Sequence, residues 1–429
     1  MIVLHNKVNL MKITLSVLTI ITLLSVGCSS SESIKNKSSE DRKSEYSKVL
    51  PKKDLIIVDL DTMKKTIGKY SSFFTSVKYV PLETTKESLV GSIDHLEIFD
   101  DTLFVLDMLS AKAIFLFDLS GKFIRKIGKT GRGPEEWIRP VSISLNKEER
   151  ELLVLDGQLQ KIFRYSLSGK FLGKISLHGN EIRSSTIECL NNKVFLDARK
   201  VSRDKSSPGF LLQEIDNQGN TINKWFDARI NNKGWDQGQN PWYFSGSGSL
   251  YSTQSGIKYA DLFMDTIYSI NPDGIQPFIA LKTKDRLTAE KIAEIYKENP
   301  SLISFLRAPQ HDNGLFGIRS YAENDDLIFF IFNQGREMRQ LIINKKPMKP
   351  FFLKGIMNDI IFRGNDVTRT PQYYSGEKNI IVGKVNNLKD FQECIKKRET
   401  NLNEEEKTRL LSIQPTDNPL LIILQTKLE

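Results

Sequence analysis

Leu103-Phe-Val-Leu-Asp107, followed by Ala113-Ile-Phe-Leu-Phe-Asp-Leu-Ser-Gly-Lys-Phe-Ile-Arg-Lys-Ile127, is the stretch that decides the fold. It returns as Leu152-Leu-Val-Leu-Asp156, followed by Lys161-Ile-Phe-Arg-Tyr-Ser-Leu-Ser-Gly-Lys-Phe-Leu-Gly-Lys-Ile175. Asp107 and Asp156 are 49 residues apart, and Gly121 and Gly169 are 48 apart. Each copy reads as strand, turn, alternating strand, Ser-Gly-Lys hairpin and strand. Glycine there supplies the positive φ of a tight hairpin.

Weaker copies continue the period. Lys193-Val-Phe-Leu-Asp197 leads to Phe210 through Asn220, with Gly219 fifty residues after Gly169. Thr266 to Gly274, Leu327 to Phe332 with Arg339 to Lys346, and Asn379 to Lys384 supply later units. Units of about four short strands at this period predict an all-β fold, a six-bladed β-propeller with four-stranded blades over residues 54–429. The ring is expected to close by pairing of terminal strands, with Asp54–Asp59 and Leu420–Leu424 as candidates. Helical spacing near 286–306, with Thr288 as N-cap, predicts one helical insertion on a loop.

Ile127-Gly-Lys-Thr-Gly-Arg-Gly-Pro-Glu-Glu-Trp137, Pro140-Val-Ser-Ile, Leu153-Val-Leu-Asp156 and Ser168-Gly-Lys-Phe171 resemble an NHL repeat. With Val80-Pro-Leu-Glu-Thr84 ahead of the first clear unit, the chain is similar to six-bladed β-propeller lipoproteins of Bacteroides-type bacteria. The likeness is strong over about 75–178 and diffuse beyond 230. It implies a fold and an envelope location, and no biochemical activity.

The N-terminus supports export. Lys12 precedes an apolar run from Ile13 to Val26, which ends at Gly27-Cys28. Fourteen residues make about 21 Å of helix, short of a roughly 30 Å hydrocarbon core, so a signal segment fits better than a resident span. Met11 is then a plausible start. Gly27-Cys28 followed by three serines resembles a lipobox, with Ser25 and Val26 departing from its usual residues. Residues 1–28 are therefore read as a lipoprotein signal peptide with Cys28 as the lipidation site. Residues 29–53, rich in Ser and Lys, are read as a flexible tether. The expected location is the cell envelope, lipid-anchored in the outer membrane, on its periplasmic face or the cell surface.

The formal charge of +9 falls to +7 once Lys7 and Lys12 are removed, and it is spread without a dense basic tract. Nucleic acid is therefore excluded as the expected partner. Cys189 and Cys394, each in a strand-like context, are read as buried free thiols. With four histidines and no Cys/His cluster, neither a dedicated metal site nor a cofactor is expected.

Arg132, between two glycines ahead of Pro134, either decorates a structural turn or presents a cation to a carboxylate or sugar. Trp137 closes the same motif and is counted with it as a ligand-binding candidate. Asn231 through Phe244 break the repeat and concentrate Trp235, Trp242 and Tyr243 among amides, a composition suited to stacking on a sugar ring. His311 sits in a polar run and completes the candidate set. Asp107, Asp156 and Asp197 recur at one position per unit, which fits turn braces better than ligands of one central calcium. No Gly-x-Ser-x-Gly elbow occurs, so no catalytic residue is assigned. The sequence thus points to a monomeric, non-catalytic module that binds a glycan or an envelope protein. A calcium-dependent hydrolase or lyase of the lactonase-like kind is the alternative.

Overall fold

The structure is a computed structural model that describes residues 47–51, 54–178, 182–200, 210–227, 249–261, 264–287, 289–298, 314–363, 372–377 and 379–427. They form the six blades that the period predicts, each a four-stranded antiparallel sheet. Blade 1 spans His95 to Ile127, blade 2 Pro140 to Ser176, and blade 3 Ile187 to Asp227. Blade 4 spans Leu250 to Lys282 and blade 5 Leu315 to Met357. Blade 6 takes Gln372–Glu377, Ile380–Lys384 and Leu420–Thr426, and its outermost strand is Phe74–Pro81. The first strand of each blade faces its counterparts in the neighbouring blades, so these six strands surround the ring axis.

Closure uses the predicted C-terminal strand with a different partner. Leu420–Thr426 pairs antiparallel with Phe74–Pro81, Leu421 lying opposite Val80. Ile56–Asp59, the expected closing strand, instead runs parallel to Gly274–Lys282 as a fifth strand of blade 4. Thr66–Lys69 does the same to Lys349–Met357 of blade 5. The chain ahead of blade 1 is therefore a belt on the rims of blades 4 and 5 before it completes blade 6. The docking starts inside the expected tether: the Ser47 amide donates to the Lys224 carbonyl at 2.7 Å and the Leu50 amide to Ile275 at 2.7 Å.

Helix α1, Ala289–Glu298, is the described part of the expected insertion, and Thr288 lies outside the described residues. Two further helices, α2 (Leu388–Lys397) and α3 (Glu404–Ser412), interrupt blade 6. Asn387 and Asn403 cap them, their side-chain oxygens accepting the amides of Asp390 (3.1 Å) and Glu406 (2.8 Å). Phe391 and Ile395 of α2 are buried, and Phe391 packs on Tyr79 at 4.4 Å between ring centroids. Cys394 therefore lies on a helix, correcting its strand assignment, and both Cys189 and Cys394 are free and half-buried. Among the described residues no helix is long and apolar enough to cross a membrane.

The core is six separate clusters, one per seam between blades. Leu103 and Val105 pack toward blade 6 with Val80 and Leu421, whereas Phe104 and Leu106 pack toward blade 2 with Ile143 and Val154. Leu153 and Leu155 then turn to blade 3, against Ile187 and Leu196. Full burial of one such side chain contributes roughly 1.5–3 kcal/mol.

The recurring aspartates brace the turns at one end of blades 1–3. Asp107 accepts the amides of Gly91 (2.7 Å) and Ser110 (2.8 Å). Asp156 accepts four, from Ile138 (2.6 Å), Arg139 (3.1 Å), Gln158 (2.7 Å) and Leu159 (2.7 Å). Asp197 accepts Ser185 and Thr186, both at 2.6 Å, and the Ser185 hydroxyl at 2.9 Å. Each carboxylate thus ties the segment crossing between blades to its own blade. Their oxygens are committed to amides, which leaves the calcium reading of these three residues without support. Replacing Asp156 with Ala strands four amides and should cost roughly 3 kcal/mol or more, Asn about half, read as a lowered urea midpoint.

Candidate functional site

In blades 1–3 the segments that cross from an outermost to the next innermost strand all meet the Asp braces, so they share one face of the ring. The innermost strands start at this face, and their polar residues converge from three blades. In His95-Leu-Glu97 the two-residue period sends both polar side chains to one side of the strand. Blade 2 contributes Ser142 and Ser144, and blade 3 contributes Glu188.

His95 Nε2 lies 3.1 Å from Glu97 Oε1, and its Nδ1 lies 3.3 Å from Ser142 Oγ. Ser144 Oγ donates to Glu188 Oε2 at 2.9 Å and accepts the Cys189 amide at 2.9 Å. Glu97 is 3% exposed and Glu188 1%. One ligand-type atom from each of His95, Glu97 and Glu188 lies within 4.8 Å of the others. Glu188 Oε1 has no hydrogen-bond partner of ordinary geometry, the Ser252 amide acting on the carboxylate only weakly. Burial first, then the nearby Glu97 carboxylate, holds the Glu188 carboxyl well above the usual range.

The sequence reading missed this grouping. His95 and Glu97 carried a visible i, i+2 signal, but Glu188 lies 91 residues beyond Glu97 and only the ring brings it near.

Of the predicted site residues, Arg132 is exposed on the crossing segment between blades 1 and 2. That segment is pinned: Glu136 Oε2 accepts the Gly133 amide at 2.9 Å. Trp137 is fully buried in the seam of blades 1 and 2, edge-on to Phe163 and Tyr165. Its indole N–H donates to the Lys112 carbonyl at 2.7 Å, so the ring is wholly engaged in packing. Trp235, Trp242, Tyr243, His311 and Cys28 lie outside the described residues.

A second buried charge cluster sits in the seam of blades 4 and 5. Glu323, 2% exposed, accepts from Lys345 Nζ (2.6 Å) and Tyr321 Oη (2.7 Å), and Lys258 Nζ approaches at 3.4 Å. Burial pushes the Glu323 carboxyl up, but Lys258 and Lys345 outweigh it and hold the group below its ordinary value of 4.5. A depressed carboxyl stabilises the fold above its unfolded pKa, and that contribution disappears as pH falls through the folded value. Glu323→Gln should therefore lower stability at pH 7 by roughly 3–5 kcal/mol, because Lys258 stays buried without its partner. The deficit relative to wild type should shrink as pH drops below about 4.5 in denaturant titrations.

Residues 55–425 match the family described as a domain of unknown function, DUF4934, and the chain belongs to that family. No curated protein matches it. A Bacteroides fragilis protein described as exported is similar in structure, with 15% identity and a TM-score of 0.67 over 87% of this chain and all of that one. A DUF4221 member from Bacteroides vulgatus is 12% identical with a TM-score of 0.46, covering 82% of this chain and 97% of that one. Virginiamycin B lyase of Staphylococcus aureus is 11% identical with a TM-score of 0.39, covering 81% and 99%. At these identities the likeness concerns the fold alone.

Proposed function

We propose that this protein is an exported, lipid-anchored propeller that binds a glycan or an envelope protein on the braced face, without chemistry of its own. The observation that carries the reading is Arg132, an exposed guanidinium on a segment held at several points. The Asp156 carboxylate fixes Ile138 and Arg139, Glu136 fixes Gly133, and the Trp137 indole anchors to Lys112. A pre-organised cation of this kind suits a carboxylate or a sugar, since little order is lost on binding.

Two sequence features extend the reading. Residues 228–248, with Trp235, Trp242 and Tyr243, separate the outermost strand of blade 3 from the innermost strand of blade 4. Residues 299–313, with His311, fall between the corresponding strands of blades 4 and 5. Both fall in the chain at the same type of junction, outermost to next innermost strand, as the segment carrying Arg132. The signal-like segment ending at Cys28 supports lipidation, and the exported Bacteroides fragilis relative in fold supports an envelope location.

Metabolic labelling with an alkyne fatty acid should mark the wild type and not Cys28→Ser, which should leave the membrane fraction. An unlabelled wild-type chain would refute the anchor. The Cys28→Ser protein screened on glycan arrays and envelope extracts should yield a binder whose affinity falls about tenfold or more in Arg132→Ala and in Trp235→Ala. A ligand retained equally by both variants would move the site off this face.

A further inference from the structure

We propose that His95, Glu97 and Glu188 form a binding site for a divalent transition-metal ion, zinc or manganese, where blades 1, 2 and 3 meet at the ring axis. Three observations converge on it. The three ligand-type atoms already lie within 4.8 Å of one another, although they come from innermost strands of two different blades. Glu188 Oε1, on a residue 1% exposed, is left without a hydrogen-bond partner of ordinary geometry. Two carboxylates share this buried space with a single imidazole, the Lys147 ammonium acts on Glu188 less than burial and Glu97 do, and a bound cation would add positive charge directly between the two acids.

The surroundings orient the ligands as metal sites require. Ser144 Oγ, itself accepting the Cys189 amide, holds Glu188 Oε2 at 2.9 Å and leaves Oε1 for the ion. His95 Nδ1 accepts the Ile143 amide at 3.4 Å and lies 3.3 Å from Ser142 Oγ, so coordination through Nε2 requires the ring proton to move to Nδ1, where Ser142 Oγ can accept it in place of the Ile143 contact. In the present geometry Nε2 is engaged with Glu97 Oε1 at 3.1 Å, so metal binding replaces that one contact with two coordinate bonds. Bonds of about 2.0–2.2 Å around a tetrahedral ion place ligand atoms roughly 3.3 Å apart, a contraction that rotation of Glu97 and Glu188 can supply.

The donor set selects the class of ion. One imidazole nitrogen and two carboxylate oxygens suit zinc or manganese, whereas calcium and magnesium take oxygen alone and usually more of it. Three protein ligands leave a fourth position for water, and His95, the most exposed of the three at 24% of its side chain, is the approach to it.

The test uses the purified full chain, stripped with chelator and titrated calorimetrically with zinc and separately with manganese. Wild type should take up one ion per chain and melt at a higher temperature with it. Glu188→Gln and His95→Ala should each lose at least about 100-fold in affinity, beyond the 10–100-fold typical of losing an outer-shell partner. Glu188→Gln removes a ligating carboxylate oxygen and keeps the shape, so its unchanged circular dichroism separates lost coordination from lost folding. Cobalt substitution gives a second readout, a visible d–d band present in wild type and absent in His95→Ala. No uptake by wild type, uptake undiminished in both variants, or a preference for calcium over zinc would each overturn the proposal.

Discussion

Every blade of this ring must bury both of its faces. Leu103 and Val105 serve one seam while Phe104 and Leu106 serve the next, and Leu152 to Leu155 divide in the same way. A blade alone would expose one apolar face on each side, so no blade is stable without two neighbours. The last seam therefore has to be made from the two ends of the propeller. Val80 and Leu82 from before blade 1 join Val382 and Leu421 from blade 6 against Leu96 and Phe115. The pairing of Phe74–Pro81 with Leu420–Thr426 links residues some 340 positions apart, contacts that form only after a large loss of chain entropy. The parallel strands on blades 4 and 5 hold the N-terminal segment along the rim that leads to that pairing.

This constraint also explains what the sequence revealed. Two-faced burial makes the central strands continuous apolar runs, and the Asp braces place one acid at the end of the second strand in blades 1–3. Those features repeat at a period near 50 and made the fold legible. In blades 4–6 the second strand ends at Tyr259, Gln334 and Lys384 instead, so the signature fades while the architecture persists. Hydrophobic pattern identifies a strand but not its partner. Ile56–Asp59 reads as well for closure as Phe74–Pro81, and the choice between them is made by tertiary packing. Helices α2 and α3 had a signal in the Asn387 and Asn403 caps and in the spacing of Leu388, Phe391 and Ile395. They fall between Asn379–Lys384 and Leu420–Leu424, the strand segments that the repeat picks out, in a stretch where the period itself carries no helical signal.

The axial cluster was illegible for a related reason. Its members are single polar residues within strands otherwise read for their apolar positions, and proximity comes from ring geometry. Arg132 announced itself through flanking glycines, a local signal. Trp137, in the same motif, is the counterpart: its chemistry suggested a ligand, and its surroundings make it the plug of a seam.

The two buried charge clusters show how one scaffold handles polarity in opposite ways. Between blades 4 and 5, Glu323 faces two ammonium groups, and Lys258 also lies 4.6 Å from the Phe278 ring centroid. Its carboxylate oxygens accept from Lys345, Tyr321 and Ser255, so desolvation is offset by charge pairing and hydrogen bonds. At the junction of blades 1–3 the acids outnumber the imidazole and one buried oxygen is left over. Apolar replacements at Glu97 and Glu188 would fill the same space without that cost, because the hydrophobic seams already join these blades. A buried carboxylate oxygen left without a hydrogen-bond partner among converging innermost strands is better accounted for by something it binds than by the fold it sits in.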